Sequence, residues 1–355
     1  MRAKINKNVL ENILLHTQSF IERKDLSQIT SHILIDLKEE GINIKATDRE
    51  TGIEITSSNI KVEEIGKATA NGKKILDIVK ILKDDDIEIK TEENYLYITQ
   101  KQSKFKLPMF NPNEYPEFPS IENKAKFDID NQTLIKSIKK IAPAIDTNNP
   151  KYELNGALIN IKESQIDFVA TDTKRLAVVE VKRENDKPLS IIIPKKAINN
   201  IQKLFFDEIE IYYDENILIA KSLDFSFFTK LINGRYPNYE KIIPKTSNYS
   251  ITLNRDRMID SIKQVSIISN EIKISFKPQS IEFESLNDEN VEAKTEMEYD
   301  TKVEEEIYIM TNAKHVLDFL THIDKNEFEL NINDPELPFM LKSENFITII
   351  MPIVL

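Results

Sequence analysis

The stretch that decides the fold is VATDTKRLAVVEV, residues 169–181, in which two apolar runs flank a polar turn. This pattern predicts two strands joined by a tight turn. Residues 44–55, IKATDRETGIEI, repeat it 124 positions earlier, with Asp48 in the place of Asp172. In each copy we expect the aspartate to accept backbone N–H groups and so cap the turn. A turn that occurs twice in this way indicates a repeated domain.

Longer elements recur with a period near 120 residues. Three predicted hairpins lie at 87–100, 209–221 and 328–342. Each follows an amphipathic helix, predicted at 71–82, 194–205 and 312–323, with Pro194 in a first helical turn. A further helix opens each unit, at 7–24, 131–141 and 254–268. Proline-rich stretches at 105–121 and 228–244 are predicted linkers. The sequence therefore predicts an α+β protein of three tandem two-helix, antiparallel-sheet domains, 1–121, 122–244 and 245–355.

Composition limits the class of protein. At 355 residues the chain is too long for one ordinary core, and 40% hydrophobic with 30% charged residues is typical of a soluble globular protein. No apolar run approaches the roughly 20 residues that cross a bilayer, and the first residues lack the apolar core of a signal peptide. The absence of cysteine excludes disulfides and thiolate metal sites. We expect a cytoplasmic protein that does not enter a membrane.

Charge is distributed unevenly along the chain. A net charge of −11 argues against a nucleic-acid-binding protein only if it is evenly spread. The predicted helices together carry +11, counted over 7–24, 72–83, 131–141, 194–205, 254–268 and 312–322, so the remainder must carry −22. Their lysines flank apolar stripes and should point away from the core. This predicts a basic face suited to the DNA backbone, although lysines on helices also serve solubility.

Signals for catalysis are weak. The four histidines, His16, His32, His315 and His322, are expected to be ordinary surface or rim side chains. Six glycines leave no glycine-rich phosphate loop, so we expect no cofactor, no metal and no enzymatic activity. A hydrolase that uses Asp48 or Asp172 is a weak alternative.

Four motifs carry a family resemblance: YELNGALI (152–159), VATDTKRLAV (169–178), GRYPNYEKIIP (234–244) and IIMPIVL (349–355). Together with the three repeats, they resemble the bacterial DNA sliding clamp family, the beta subunit of DNA polymerase III, over the whole chain. The resemblance implies a head-to-tail homodimer that closes into a six-domain ring, with helices inside and sheets outside. Such a ring encircles double-stranded DNA without sequence specificity. It tethers the replicative polymerase, the clamp loader and other proteins that carry clamp-binding peptides.

The resemblance also implies site residues. The peptide-binding set is Leu154, Thr171, Thr173, Lys174, Arg175, Leu176, Pro237, Lys241, Ile242, Pro338, Ile349, Met351, Pro352, Ile353 and Leu355. The DNA-binding set is Lys24, Lys73, Lys80, Lys136, Lys139, Lys140, Asn148, Lys151, Tyr152, Lys196 and Lys203. The dimer set is Lys74, Phe105, Ile267, Ile268 and Glu298. The chain departs from the family where it has Thr173-Lys174 in place of Gly-His and Val354 in place of Arg.

One alternative from another class stays open at this point. A cytosolic three-repeat scaffold would bind proteins only, and its lysines would serve solubility. The two readings differ in whether the protein stays on closed circular DNA and slides off once the DNA is linear.

Overall fold

The computed structural model describes residues 1–127, 129–185, 188–204, 209–286 and 292–354. Leu355 of the predicted peptide-binding set lies outside these ranges. The described residues confirm six predicted helices: α1 Lys7–Thr17, α2 Gly72–Ile81, α3 Asn131–Ile141, α4 Lys195–Leu204, α5 Arg255–Ser266 and α6 Ala313–Leu320. Within these ranges no helix has the length and apolar character needed to cross a bilayer.

Four of the helices begin in the same way. Asn6, Asn71, Asn254 and Asn312 each end a strand, and each side chain accepts a backbone N–H from the first turn of the helix that follows. Asparagine is among the best residues for this role because its side-chain oxygen satisfies a donor that has no partner inside the helix. The change from strand to helix is thus specified by residues at the junction itself, which is why the starts of the helices could be predicted.

Several predicted helix limits differ from the structure by one to three residues, and the end of the first helix differs by seven. The helix predicted over 7–24 ends at Thr17, whose hydroxyl donates to the Leu14 carbonyl at 2.7 Å. The chain then turns and buries Phe20, which is 0% exposed. The apolar residues that continue the helical spacing beyond Thr17 therefore reflect packing in the core and not a longer helix. Pro194 is the last residue of a strand, and α4 begins at the next residue.

The strands follow the predicted rhythm of hairpins. Those up to residue 127 are β1 Arg2–Asn6, β2 His32–Lys38, β3 Gly41–Thr47, β4 Thr51–Ser57, β5 Lys61–Glu64, β6 Gly66–Asn71, β7 Asp86–Glu92, β8 Tyr95–Gln100, β9 Ser103–Pro108 and β10 Ala125–Phe127. The next are β11 Gly156–Ile161, β12 Gln165–Thr171, β13 Arg175–Lys182, β14 Leu189–Pro194, β15 Glu210–Tyr213, β16 Ile217–Lys221 and β17 Phe225–Lys230. The last are β18 Tyr249–Asn254, β19 Glu271–Lys277, β20 Ser280–Ser285, β21 Lys294–Glu298, β22 Ile307–Asn312, β23 Glu327–Ile332, β24 Phe339–Ser343 and β25 Phe346–Ile350.

One compact unit comprises residues 1–131 and 204–231. It contains a five-stranded antiparallel sheet, β5-β1-β7-β8-β9, and an eight-stranded antiparallel sheet, β10-β15-β16-β17-β4-β3-β2-β6. Its core includes Phe20 and Phe227, whose rings meet edge to face with centroids 5.9 Å apart. His32 is also buried, at 6% exposure, so the prediction that all four histidines lie at the surface or its rim was wrong for this residue.

The other compact unit comprises residues 132–203 and 232–355. Its sheets are β14-β11-β12-β13-β25-β24-β23-β18 and β21-β20-β19-β22, both antiparallel. In the larger sheet β13 pairs with β25, from Arg175 opposite Ile350 to Val179 opposite Phe346. This pairing brings the turn before β13 next to the residues that follow β25.

The two compact units do not follow the three predicted domains. Each eight-stranded sheet takes strands from two neighbouring repeats, because β4 pairs with β17 and β13 pairs with β25. Each compact unit therefore contains residues of more than one repeat. The domain boundaries near residues 121 and 244 remain a prediction.

Candidate protein-binding groove

The second Ala-Thr-Asp turn, residues 171–175, is held by its own side chains. The Thr171 hydroxyl donates to the Arg175 carbonyl at 2.6 Å and accepts the Thr173 N–H at 3.1 Å. One carboxylate oxygen of Asp172 accepts the N–H groups of Lys174 and Arg175 at 3.1 and 3.0 Å. This confirms the predicted capping role of Asp172. Thr173 has a φ of 72°, in the left-handed region that suits the glycine usual in the resembling family.

Arg175 ties this turn to two other segments. Its guanidinium donates to the other Asp172 oxygen at 3.1 Å, to the Asp318 carboxylate on α6 at 2.6 Å and to the Pro143 carbonyl after α3 at 2.5 Å. The side chain is only 5% exposed. The predicted groove residue Arg175 is therefore a buried connector, and each of its three guanidinium nitrogens donates to a group within the protein.

The chain after β25 runs beside the turn. The Met351 N–H donates to the Lys174 carbonyl, and the Ile353 N–H donates to the Met310 carbonyl on β22, both at 2.9 Å. Residues 351–353 are thus held at two points, one on the second turn and one on β22. Met351 is 45% exposed, and Pro352 and Ile353 are half-buried.

The predicted groove residues divide into a floor and a rim. Leu154, Leu176 and Ile349 are only 2–3% exposed, and the last two belong to a buried cluster with Leu158, Val169, Val178, Ile192, Ile232, Tyr239 and Ile347. Packing in the core accounts for the burial of these three side chains, and their assignment to the groove stays a prediction. The accessible apolar side chains are Ile242 and Met351, at 46% and 45% exposure. The remaining described members are half-buried or exposed: Thr171, Thr173, Lys174, Pro237, Lys241, Pro338, Pro352 and Ile353.

A buried polar network anchors the segment that carries Lys241 and Ile242. The Tyr239 hydroxyl donates to Asp167 at 2.5 Å and accepts from the Asn160 amide at 3.0 Å. Lys162 pairs with both Asp167 and Glu240 at 2.6 Å. Burial and the bond to Asp167 raise the pKa of Tyr239 to about 12, so the hydroxyl keeps its proton at neutral pH. The segment that carries Lys241 and Ile242 is therefore fixed to the β11–β12 hairpin.

Sequence reasoning missed several residues of this site. Asp318, Asp167 and Tyr239 contact it through bonds that span 72 to 143 positions of the chain. His315 lies near Arg175, and burial followed by the charge of Arg175 lowers its pKa. The helical spacing of His315 and Asp318 was the one available signal, because residues three apart share a face of a helix.

The predicted DNA-binding residues lie mostly at the surface. In the first unit Lys24, Lys73 and Lys80 are exposed. In the second unit the exposed members are Lys136, Lys139, Asn148, Lys151, Tyr152, Lys196 and Lys203. Lys140 differs because its ammonium is 3.0 Å from Asp324 and its side chain is 10% exposed. Its hydrogen bond holds the pKa of Asp324 below the ordinary value. We expect Lys140 to contribute less to a phosphate contact than its exposed neighbours.

Two of the predicted dimer residues lie on strands at open sheet edges, one in each unit. Phe105 is on β9, the outermost strand of the five-stranded sheet, and Lys74 is exposed on α2. In the other unit Glu298 ends β21, the outermost strand of the four-stranded sheet. Ile267 and Ile268 follow α5 and are 81% and 36% exposed. Unpaired strand edges beside apolar side chains are typical of association surfaces.

Comparison with known proteins gives a consistent family. Models of the DNA polymerase III beta subunit match over three consecutive ranges: the N-terminal domain at 1–119, the central domain at 128–238 and the C-terminal domain at 240–354. The beta sliding clamp of Helicobacter pylori strain J99 is 37% identical over 351 residues, which cover 96% of this chain and 94% of the relative. A crystal structure of the Helicobacter pylori beta clamp bound to a DNA ligase peptide has a TM-score of 0.94 at 36% identity and full coverage of both chains. A sliding clamp structure from Bacillus subtilis, at 24% identity and a TM-score of 0.93, shares the fold and covers 100% of this chain and 99% of the other.

Proposed function

This chain belongs to the family of the bacterial DNA polymerase III beta subunit, and we propose that the groove beside the second turn is where it binds peptides of its partner proteins. It is a non-catalytic processivity clamp. A clamp works by tethering: it keeps the polymerase close to the DNA and so raises the effective concentration of the enzyme there. The residues that would do this in the present chain are the subject of the proposal.

The observation that carries the proposal is the convergence of three separated segments. The second turn, the linker residues 237–242 and residues 338–353 meet around a cluster of buried apolar side chains. Ile242 and Met351 remain accessible above that floor. Aliphatic and thioether side chains suit the apolar anchors of a short peptide, and methionine adapts to different partners. The related Helicobacter pylori clamp was solved with a DNA ligase peptide, which supports a peptide as ligand.

The peptide should bind weakly and favour acidic flanks. Lys174 and Lys241 are exposed at the rim, where a charge contributes more to steering than to affinity. A disordered peptide must also be ordered on docking, so we expect dissociation constants in the micromolar range. Weak binding suits a clamp that exchanges the polymerase for the clamp loader and for repair proteins.

Replacing an accessible apolar residue of the groove tests the location. We expect Met351→Asp to weaken binding of the Helicobacter pylori DNA ligase peptide at least tenfold, because it places a charge where an apolar anchor docks. Fluorescence anisotropy with the labelled peptide measures this. Leu223→Asp is the matched control, since Leu223 is 96% exposed on a turn of the other compact unit. Equal affinity of Met351→Asp and the wild type would place the peptide elsewhere.

We further propose that the chain acts as a head-to-tail homodimer on duplex DNA in the cytoplasm. A chain with unlike end repeats can cover its open strand edges by joining the β9 end to the β21 end, which closes a ring. The exposed helix lysines would then contact phosphates without reading the bases. Dimer contact through Lys74, Phe105, Ile267, Ile268 and Glu298 is part of this proposal.

Retention on circular DNA tests the ring. We expect the protein, once loaded, to stay on closed circular duplex DNA and to leave when the circle is cut, because the link is topological. Ile268→Lys should give a monomer in sedimentation, and it should not be retained even on closed circles. A protein that leaves closed circles and linear DNA at the same rate would favour the scaffold that binds proteins only.

A further inference from the structure

The guanidinium of Arg175 joins three parts of the groove unit that are far apart in the sequence. It contacts the second turn through Asp172, the segment after α3 through Pro143 and the side of α6 through Asp318. A guanidinium carries five donors in a rigid plane, so partners on several sides fix its position. Of the two carboxylates, Asp172 belongs to the turn itself, whereas Asp318 is 143 positions away.

The position of residues 351–353, which run beside the second turn, depends on the same contacts of Arg175. Their first point of attachment is the Lys174 carbonyl, in the turn that Arg175 ends. Their second is the Met310 carbonyl on β22, two residues before Asn312, which caps α6. The distance between these attachments therefore depends on where the second turn lies relative to α6. The Arg175–Asp318 contact, at 2.6 Å, bridges these two elements directly.

We propose that Asp318 is a positioning residue of the peptide groove. By holding Arg175, it fixes the second turn relative to α6 and so keeps Met351 to Ile353 in the geometry that receives a peptide. The role is indirect, since the carboxylate acts on the groove through the guanidinium. This inference rests on the proposed peptide-binding function and adds a residue on α6 to it.

Three variants of the full-length protein test the role, with the labelled Helicobacter pylori DNA ligase peptide as probe. We expect Asp318→Ala to weaken binding about tenfold, within the range found for residues of one coupled network. Asp318→Asn should recover much of the affinity, because its amide oxygen still accepts from Arg175. Asp324→Ala is the matched control: it removes the Lys140–Asp324 ion pair of 3.0 Å in the same unit and should leave peptide affinity unchanged. Thermal melting shows that each variant is folded at the assay temperature.

A double-mutant cycle separates positioning from a general loss of packing. If Asp318 acts through Arg175, the double variant Arg175→Met/Asp318→Ala should bind no more weakly than Arg175→Met alone. Wild-type affinity of a folded Asp318→Ala would overturn the inference, and so would full additivity of the two effects. Should Asp318→Ala fail to fold, Asp318→Ser takes its place in the Arg175→Met cycle, because the shorter hydroxyl side chain does not reach the guanidinium. Failure of the wild type to bind the peptide would instead reject the proposed function.

Discussion

The two Ala-Thr-Asp turns have the same hydrogen bonds and different surroundings. In the first turn, residues 47–51, the Thr47 hydroxyl donates to the Thr51 carbonyl at 2.7 Å, and Asp48 accepts the N–H groups of Glu50 and Thr51 at 3.0 and 2.7 Å. The second turn repeats these bonds through Thr171, Asp172, Lys174 and Arg175. The shared part is a folding device that joins two strands. Binding must come from what differs.

Two differences stand out. The residue that begins the second strand is Thr51 in one turn and Arg175 in the other, and Arg175 reaches α6 and the segment after α3. The strand after the first turn, β4, pairs with β17, and the residue that follows β17 is Leu231, which is buried at 9% exposure. The strand after the second turn, β13, pairs with β25, and the residue that follows β25 is Met351, which is 45% exposed. A repeated hairpin thus becomes a candidate site through two features: the side chain of Arg175 and the exposure of the residues that follow β25.

The largest expected effect comes from deleting the side chain that distinguishes the turns. We expect Arg175→Ala to lower the free energy of unfolding by about 3–5 kcal/mol, because it removes a buried cation and leaves two half-buried carboxylates without their partner. Thr51→Val replaces only the hydroxyl, which donates to Asp48 at 3.2 Å, by a methyl group, and this should cost about 1 kcal/mol. Urea unfolding followed by circular dichroism measures both. Equal losses of unfolding free energy would mean that the contacts of Arg175 with Asp318 and Pro143 do not stabilise the protein.

An intermediate effect is expected at the start of β2, the strand that pairs with β3 beside the first turn. The register of β2 and β11 places His32 in the position that Gly156 holds in the second copy. Burial, with a smaller effect of Lys74, lowers the pKa of His32 to about 4. The unfolded chain gains this proton below about pH 6.5 whereas the folded protein resists it, so stability falls between pH 6.5 and 4, by at most about 3 kcal/mol.

The variant His32→Gln isolates this contribution. Its stability should depend less on pH between 6.5 and 4 than that of the wild type, because the other titrating groups are common to both proteins. Thermal melts at half-unit pH intervals give the two slopes. Parallel slopes would show that His32 titrates alike in the folded and unfolded chains.

The smallest expected effect concerns backbone strain within the turns. Arg49 and Thr173 occupy the same position and have φ values of 74° and 72°. The left-handed region disfavours side chains, most of all those branched at Cβ, such as threonine. Thr173→Gly should therefore stabilise the protein by up to about 1 kcal/mol, and Arg49→Gly by less because arginine is not branched at Cβ. In both variants the greater entropy of glycine in the unfolded chain offsets part of the gain. Loss of stability in Thr173→Gly would show that its side chain makes a contact worth more than the strain.

Much of the fold could be predicted because its signals are local. Alternating apolar residues predicted the hairpins at 87–100, 209–221 and 328–342, and the structure has two strands in each. The role of Asp172 was readable because a short carboxylate bonds to backbone two and three residues on. The family, too, was readable from four short motifs. Where local rules failed, as at the end of α1, the apolar period reflected burial of Phe20 rather than helix.

The candidate site is different in kind because it depends on contacts between distant parts of the chain. The sequence by itself determined the repeat, the six helices, the turn caps and the family, whereas the set of groove positions stays a prediction. Only the tertiary structure decided that Leu176 and Ile349 form the floor, that Met351 is accessible and that Arg175 is buried against Asp318. A residue's exposure and its partner depend on which strands pair, and here the pairing of β13 with β25 joins segments some 170 positions apart. No local pattern records that choice, because it follows from packing the two sheets and their helices together.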